Sequence, residues 1–251
     1  MPQTDTAALL WRDLVTAFGL LTRFPLPVIP PSGANAAWAW PVAGAAVALI
    51  AGLVAMAGLW AGLPPLVAAG LAIAVQIGLT GAMHEDGLAD SADGLWGGHD
   101  RVRRLEIMKD SRIGSYGVLA LLLVVGLRWQ ALAALFHLGA VIGPLLAAAV
   151  LSRAAMAVVM VALPNARGSG LANQVGRPEP FVALAGGGLA LGLALLAVGW
   201  LALPAALVAG TAALAVAALA RGRIGGQTGD ILGFVQQMAE LAVLLALAIW
   251  L

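Results

Sequence analysis

"AGAAVALIAGLVAMAG", residues 43–58, runs for sixteen residues without one polar side chain. As an α-helix it would cover about 24 Å, most of a bilayer's hydrocarbon core of about 30 Å. Reading outward from it, seven stretches are long and apolar enough to span: approximately 38–60, 64–83, 115–137, 139–163, 181–202, 204–220 and 231–251. The whole chain agrees. Of 251 residues, 62% are hydrophobic and 10% charged, where soluble domains carry about 25% charged residues. Mean hydropathy is +0.98. A soluble core would need polar faces between the apolar runs, and these are missing. The expected fold is all-α: a polytopic membrane helix bundle of about seven transmembrane helices, forming one integral membrane domain over 1–251.

Residues 5–22 read differently. Ala7, Leu10, Leu14, Phe18 and Leu21 recur at helical spacing, with Arg12, Asp13 and Thr16 elsewhere on the wheel. That predicts an amphipathic helix, lying at the interface or docked on the membrane domain. The prolines of "RFPLPVIPP", 23–31, then break any helix. No basic leader with an apolar stretch and a small-residue cleavage site opens the chain, so no signal peptide is expected.

Basic residues set the orientation. Arg12 and Arg23 precede the first span; Arg101, Arg103, Arg104, Lys109 and Arg112 lie between the second and third; Arg167 and Arg177 between the fourth and fifth; Arg221 and Arg223 between the sixth and seventh. The connections near 61–63, 138–140 and 203 hold no Lys or Arg. Alternation then puts the N-terminus and every basic segment in the cytoplasm and the C-terminus on the periplasmic side. Trp38, Trp40, Trp60, Trp200 and Trp250 fall near span ends, where indoles favour the interface. Small residues crowd the spans, as in "LAGGGLALGLALLAVG" (184–199), which suits close packing within a bundle or across a homo-oligomer. A net charge of +1 offers no footprint for nucleic acid. With no Cys there is neither disulfide nor thiolate chemistry.

Directly after the second span comes "HEDGLADSADG", 84–94. Glu85, Asp86, Asp90, Asp93, Asp100, Glu106 and Asp110 are seven of the chain's twelve acids. Asp86, Asp90 and Asp93 stand at i, i+4 and i+7, on one face of a helix with Glu85 at its edge. Like charges at that spacing destabilise a helix. A hard divalent cation removes the conflict, and Mg²⁺ is typically shared between carboxylates and substrate phosphates. A solvated loop is the plainer account, against which stands the position at a span's end, where exposed charge is costly. Gly87 and Gly94, with Gly97 and Gly98, would let a phosphate-bearing ligand approach the backbone. Arg104, Lys109 and Arg112 stand among Glu106 and Asp110 and could clamp phosphate oxygens; Arg101 and Arg103 suit lipid headgroups better. Asp230 opens the seventh span, as a site residue or as a helix cap. His84, His99 and His137 have no metal-ligand spacing; His84 could act as acid or base, or simply hydrogen-bond within the structure.

"HEDGLADSADGLWGG" followed by "RRLEIMKDSRIGSYG" resembles the signature of the cobalamin synthase family, the adenosylcobinamide-GDP ribazoletransferases. "RFPLP" and the late "GGQTGDILG" resemble its other landmarks, in the same order. The resemblance spans nearly the whole chain, although 164–178 carries no landmark. It implies a bacterial inner-membrane enzyme that joins α-ribazole, or its 5′-phosphate, to adenosylcobinamide-GDP with loss of GMP, needing Mg²⁺. It implies metal ligands among Glu85, Asp86, Asp90, Asp93 and Asp230. One carboxylate, Asp93 or Asp90, would take the hydroxyl proton. Lys109 and Arg112 would neutralise the diphosphate, with Asp110 orienting them. Membrane lipid is an implied partner, and a homo-oligomer or a complex with other corrinoid-pathway enzymes stays open.

The rivals are a cation transporter or channel, using the acids as a cytoplasmic vestibule, and a non-catalytic scaffold. A cation route should continue through mid-membrane acids. Glu240 is the deep candidate, with Gln236 and Gln237 nearby, while Arg128 and Arg153 oppose an open path unless Arg128 snorkels.

Overall fold

The computed structural model describes residues 6–251, which are helical apart from their connections. Residue 5 of the expected first helix lies outside them. In chain order the helices are α1 (Thr6–Leu21), α2 (Trp40–Trp60, entered through the 3-10 helix Gly33–Ala39), α3 (Pro65–Thr80), α4 (Met83–Gly97), α5 (Arg101–Ile107), α6 (Ser115–His137), α7 (Ile142–Ala162), α8 (Leu171–Val175), α9 (Pro180–Val198), α10 (Ala202–Ile224) and α11 (Gly229–Trp250). Among the described residues there is no strand; Asn165 and Gln227 form an isolated bridge. Prolines at the start of α2, α3 and α9 sit where a missing N–H costs nothing.

α7 and α11 form the centre, each largely buried, and the other long helices ring them. The contacts are built on small side chains: Ala147, Ala148 and Ala149 are fully buried, as are Ala202, Ala205 and Ala220. Apolar bulk points outward instead, with Leu122, Leu123, Phe181, Leu184, Leu196 and Leu207 all exposed. A surface so apolar is stable against lipid and not against water. Five helical stretches are long and apolar enough to cross a membrane, or six if the bent pair α3–α4 is one span. The count of seven expected from sequence differs partly because Pro180–Ile224 is one of the five. The chain breaks within it at Gly199 (φ 62°) and the 3-10 turn Gly199–Leu201. Gly143 at the start of α7 packs on Ala197 near the end of α9, whereas Gly226 after α10 packs on Pro164 after α7. α9 and α10 therefore run in opposite directions.

The second expected span, 64–83, ends sooner. α3 stops at Thr80, and α4 leaves at 88° to it. Gly81 (φ 66°) and Ala82 (φ 58°) make the corner in the left-handed region, which costs Ala82 about 1–2 kcal/mol. The Arg23 N–H donates to Leu79 O at 2.7 Å, and the Arg23 side chain lies over Gly81. The proline-rich segment thus straps the corner. α4 consequently runs across the end of the bundle.

That end collects the charged connections. Gly114 before α6 meets α4, Arg177 before α9 donates to Val161 O at the end of α7, and Arg104 donates to Arg223 O at the end of α10. Every Lys and Arg except Arg128 and Arg153 belongs to this rim. Trp60, Trp200 and Trp250 mark the opposite helix ends and are exposed, as interface anchors should be. Trp40 corrects that expectation: it is buried, 2% exposed. α1 docks on the bundle and also keeps an exposed apolar face. Trp38 Nε1 donates to Asp13 at 2.9 Å and Arg12 Nε to Ser32 at 3.0 Å, while Leu9, Leu10 and Trp11 remain exposed.

Candidate active site

The corner after α3 turns the acids of α4 in two directions. Glu85 points into the bundle. Its carboxylate lies 3.3 Å from Arg128 and accepts from Gln237 Nε2 at 3.0 Å. Arg128 also pairs with Glu240 at 2.7 Å and donates to Gln76 at 3.1 Å. Arg153 is 4.0 Å from the other oxygen of Glu240. Two guanidinium groups thus face two carboxylates, bridged by glutamine amides, in a closed neutral network. Arg128 is 1% exposed and does not snorkel. Glu85, expected among the metal ligands, sits inside this network, because buried charge is tolerated only with partners of this kind.

Asp93, also expected at the metal site, meets fixed donors as well. It lies on the Asp86 side of α4 but two turns further on, where the start of α6 covers it. Its carboxylate accepts the N–H of Gly114 at 2.7 Å and of Gly117 at 2.9 Å. The first N–H groups of a helix lack intrahelical partners and form its positive end. Asp93 therefore caps α6 from a neighbouring helix. A Cβ at Gly114 or Gly117 would stand 2.5 Å from that carboxylate, which is the reason for both glycines in "GSYG".

Gly87 and Gly94, expected to admit a phosphate-bearing ligand, lie at close helix contacts. A Cβ on Gly87 would meet Asp230 O at 2.8 Å, and Gly233 lies against Gly87 in turn. α4 and α11 cross here with backbones touching. At Gly94 a Cβ would meet Met108 Cγ at 2.2 Å and Arg104 O at 2.8 Å. Arg104 is a clasp: it donates to Gly98 O at 2.9 Å and to Arg223 O at 3.0 Å, holding α5 to α4 and α10. Lys109 is exposed, and Arg112 pairs with Asp110 at 3.1 Å in solvent.

What the crossing brings together is Asp86, Asp90 and Asp230. Burial pushes the Asp90 carboxyl up to about 7; the negative charges of Asp86 and then Asp230 add to the push, and Arg167 opposes it. The capping role weighed for Asp230 is filled by Thr228, whose hydroxyl accepts from Ile231 N–H at 3.3 Å. Asp230 is left free to pair with Arg167 at 2.8 Å.

Arg167 was not singled out from sequence. It stands on the 163–170 connection, in a turn held by Asn165, which accepts the N–H of Arg167 at 3.0 Å and of Gly168 at 2.9 Å. Backbone hydrogen bonds of 2.8 Å, from Ala166 to Gln227 and from Gln227 to Pro164, staple this turn to "GGQTGD". An Asn–x–Arg–Gly turn was the available signal, but its target lies some 60 residues on.

Among the described residues, no group of three or more His, Asp or Glu side chains is arranged to hold a metal ion as it stands. The donor chemistry nevertheless suits a hard cation. Asp86, Asp90 and Asp230 offer only oxygen, and Mg²⁺ is commonly held by one or two carboxylates with substrate phosphates completing its shell.

The sequence profile of a family described as cobalamin-5-phosphate synthase matches residues 13–248. A Bradyrhizobium diazoefficiens protein named adenosylcobinamide-GDP ribazoletransferase is 45% identical, over 99% of this chain and 97% of its own length. Proteins of the same name from Sinorhizobium sp and Brucella canis are 46% and 42% identical, over 94% of this chain and 96% and 95% of their own lengths. No solved structure matches the chain.

Proposed function

Because this chain belongs to the cobalamin-5-phosphate synthase family, we propose that it joins α-ribazole, or α-ribazole 5′-phosphate, to adenosylcobinamide-GDP with release of GMP. The observation that carries this is the meeting of Asp86, Asp90 and Asp230 at the α4–α11 crossing, with Arg167 beside them. A ribose hydroxyl of the acceptor attacks the phosphorus on the cobinamide side of the diphosphate. The new O–P bond forms, the bond to GMP breaks, and GMP leaves with its bridging oxygen. Asp90 takes the hydroxyl proton, a task suited to a carboxyl near neutrality. Arg167 leaves Asp230 to hold diphosphate oxygens as a planar fork. Asp86 and Asp230 would hold Mg²⁺, which when bound supplies charge neutralisation at the diphosphate. Glu85 and Asp93 keep α4 in place and do not touch substrate.

The rim faces the cytoplasm of the bacterial inner membrane in this reading, because the exposed basic residues gather there, and the C-terminus lies on the periplasmic side. The transporter reading loses its path at the closed network around Arg128. The test uses purified protein in liposomes with adenosylcobinamide-GDP, α-ribazole and Mg²⁺. GMP release matched by cobamide formation is expected; ion flux without turnover would reject the enzyme. Replacing α-ribazole by its 5′-phosphate in the same assay decides between the acceptors.

A further inference from the structure

Beside the acids lies an apolar cleft that no step above uses. It occupies about 470 Å³ between α1, the proline-rich strap and α8, a size typical of small-molecule sites. Leu20, Leu171 and Val175 line it and also line a narrower cavity behind it, which reaches Gly229 and Gly233 on either side of Asp230. Two polar side chains border that inner cavity, His84 and Trp40. Each is 2% exposed. Both nitrogens of His84 and the indole nitrogen of Trp40 have no hydrogen-bond partner among the described residues. A buried donor left unpaired costs about 1–3 kcal/mol, so two such groups at one cavity point to a ligand that pairs them.

We propose that the cleft and its inner cavity seat the heteroaromatic base of the acceptor nucleoside, with His84 donating to the base's free ring nitrogen and Trp40 to a ribose oxygen. This rests on the ribazole-transfer reading. A substituted benzimidazole has an apolar benzo half, for the wide cleft, and an imidazole half, for the polar inner end. Its sugar then points along Gly229 and Gly233 towards Asp230 and Asp90. Other occupants fit worse. The corrin carries a rim of amides, and the cleft offers them little beyond Gln174, since the Thr16 hydroxyl already donates to Arg12 O and accepts from Ser32 N–H. A lipid tail would fill the volume but leave His84 and Trp40 unpaired. Whatever its tautomer, an imidazole keeps an N–H to donate.

The test compares α-ribazole with its indole isostere, in which C–H replaces the free ring nitrogen. Wild-type protein should show a KM about tenfold higher for the isostere, as sites built around a hydrogen bond reject analogues lacking it. His84→Leu should raise the α-ribazole KM to the isostere's value and leave the isostere unchanged. Trp40→Phe should raise both equally, and Leu171→Trp, which narrows the cleft, should raise both further. The KM for adenosylcobinamide-GDP should not move in any of them. Discrimination that survives His84→Leu, or a KM shift falling on the corrinoid, would overturn the proposal. Should the wild type release no GMP, the transferase reading fails on its own. Equilibrium binding of the two nucleosides to wild type and His84→Leu then still decides the seat: equal binding of both by the wild type rejects it.

Discussion

The inner and outer acids of α4 are neighbours in sequence and opposites in chemistry. Glu85 and Asp93 each meet fixed donors: Arg128 and Gln237 for one, the N–H groups of Gly114 and Gly117 for the other. Asp86 and Asp90 meet a further carboxylate, Asp230, and the one guanidinium beside them, Arg167, pairs with Asp230. The inner pair therefore stabilises the fold, while the outer set costs stability, and in the proposed reaction it is this set that meets the ligand. Such local conflict is common where function and stability pull apart. The acidic cluster is two devices on one helix.

The comparison breaks most visibly if the outer set proves dispensable. Asp90→Asn should lower turnover by about 10²–10⁴-fold, the usual worth of a positioned base, with the protein still folded by size-exclusion profile; near-normal turnover would remove Asp90 from the chemistry. Next in size is the inner network. Arg128→Met leaves two carboxylates buried together and should destabilise the fold by about 3–5 kcal/mol, read from denaturant or thermal unfolding in detergent. Asp93→Asn should cost about 1–3 kcal/mol by weakening the cap on α6, and Gly117→Ala should mimic it, because its Cβ would stand 2.5 Å from Asp93. If Asp93→Asn and Gly117→Ala both unfold like wild type yet abolish turnover, the inward assignment is wrong.

The smallest effect sharpens the contrast. The folded-state pKa of Asp90 lies above its unfolded value of 3.8, at about 7. Its contribution to stability is therefore full below about pH 4 and is lost as pH rises through 7. In chelator, the wild type should melt at a higher temperature at pH 5 than at pH 8 by an amount that Asp90→Asn removes; solvent at this half-buried carboxyl keeps the difference small. An unchanged pH slope in Asp90→Asn would mean that its neighbours do not press on it.

Much of this was legible in the chain. Apolar runs such as 43–58 dictate spanning helices, because a bilayer leaves the backbone no other way to satisfy its hydrogen bonds. The clustering of Lys and Arg in alternate connections anticipated the charged rim, and the crowding of carboxylates on 84–94 singled out the helix that meets Asp230. The spacing of Asp86, Asp90 and Asp93 correctly placed them on one face of a helix. What spacing does not carry is which neighbour covers each turn. Glu85 is claimed by Gln237, 152 residues away, and Asp93 by a helix start 21 residues on. The 88° corner at Gly81 and Ala82 decides which way every acid of α4 faces. Arg167 reaches Asp230 only because its turn is stapled to the start of α11. Local pattern fixes the angle of a side chain about its own helix axis; only packing against distant segments decides whether that angle ends at a partner, in lipid, or in a site.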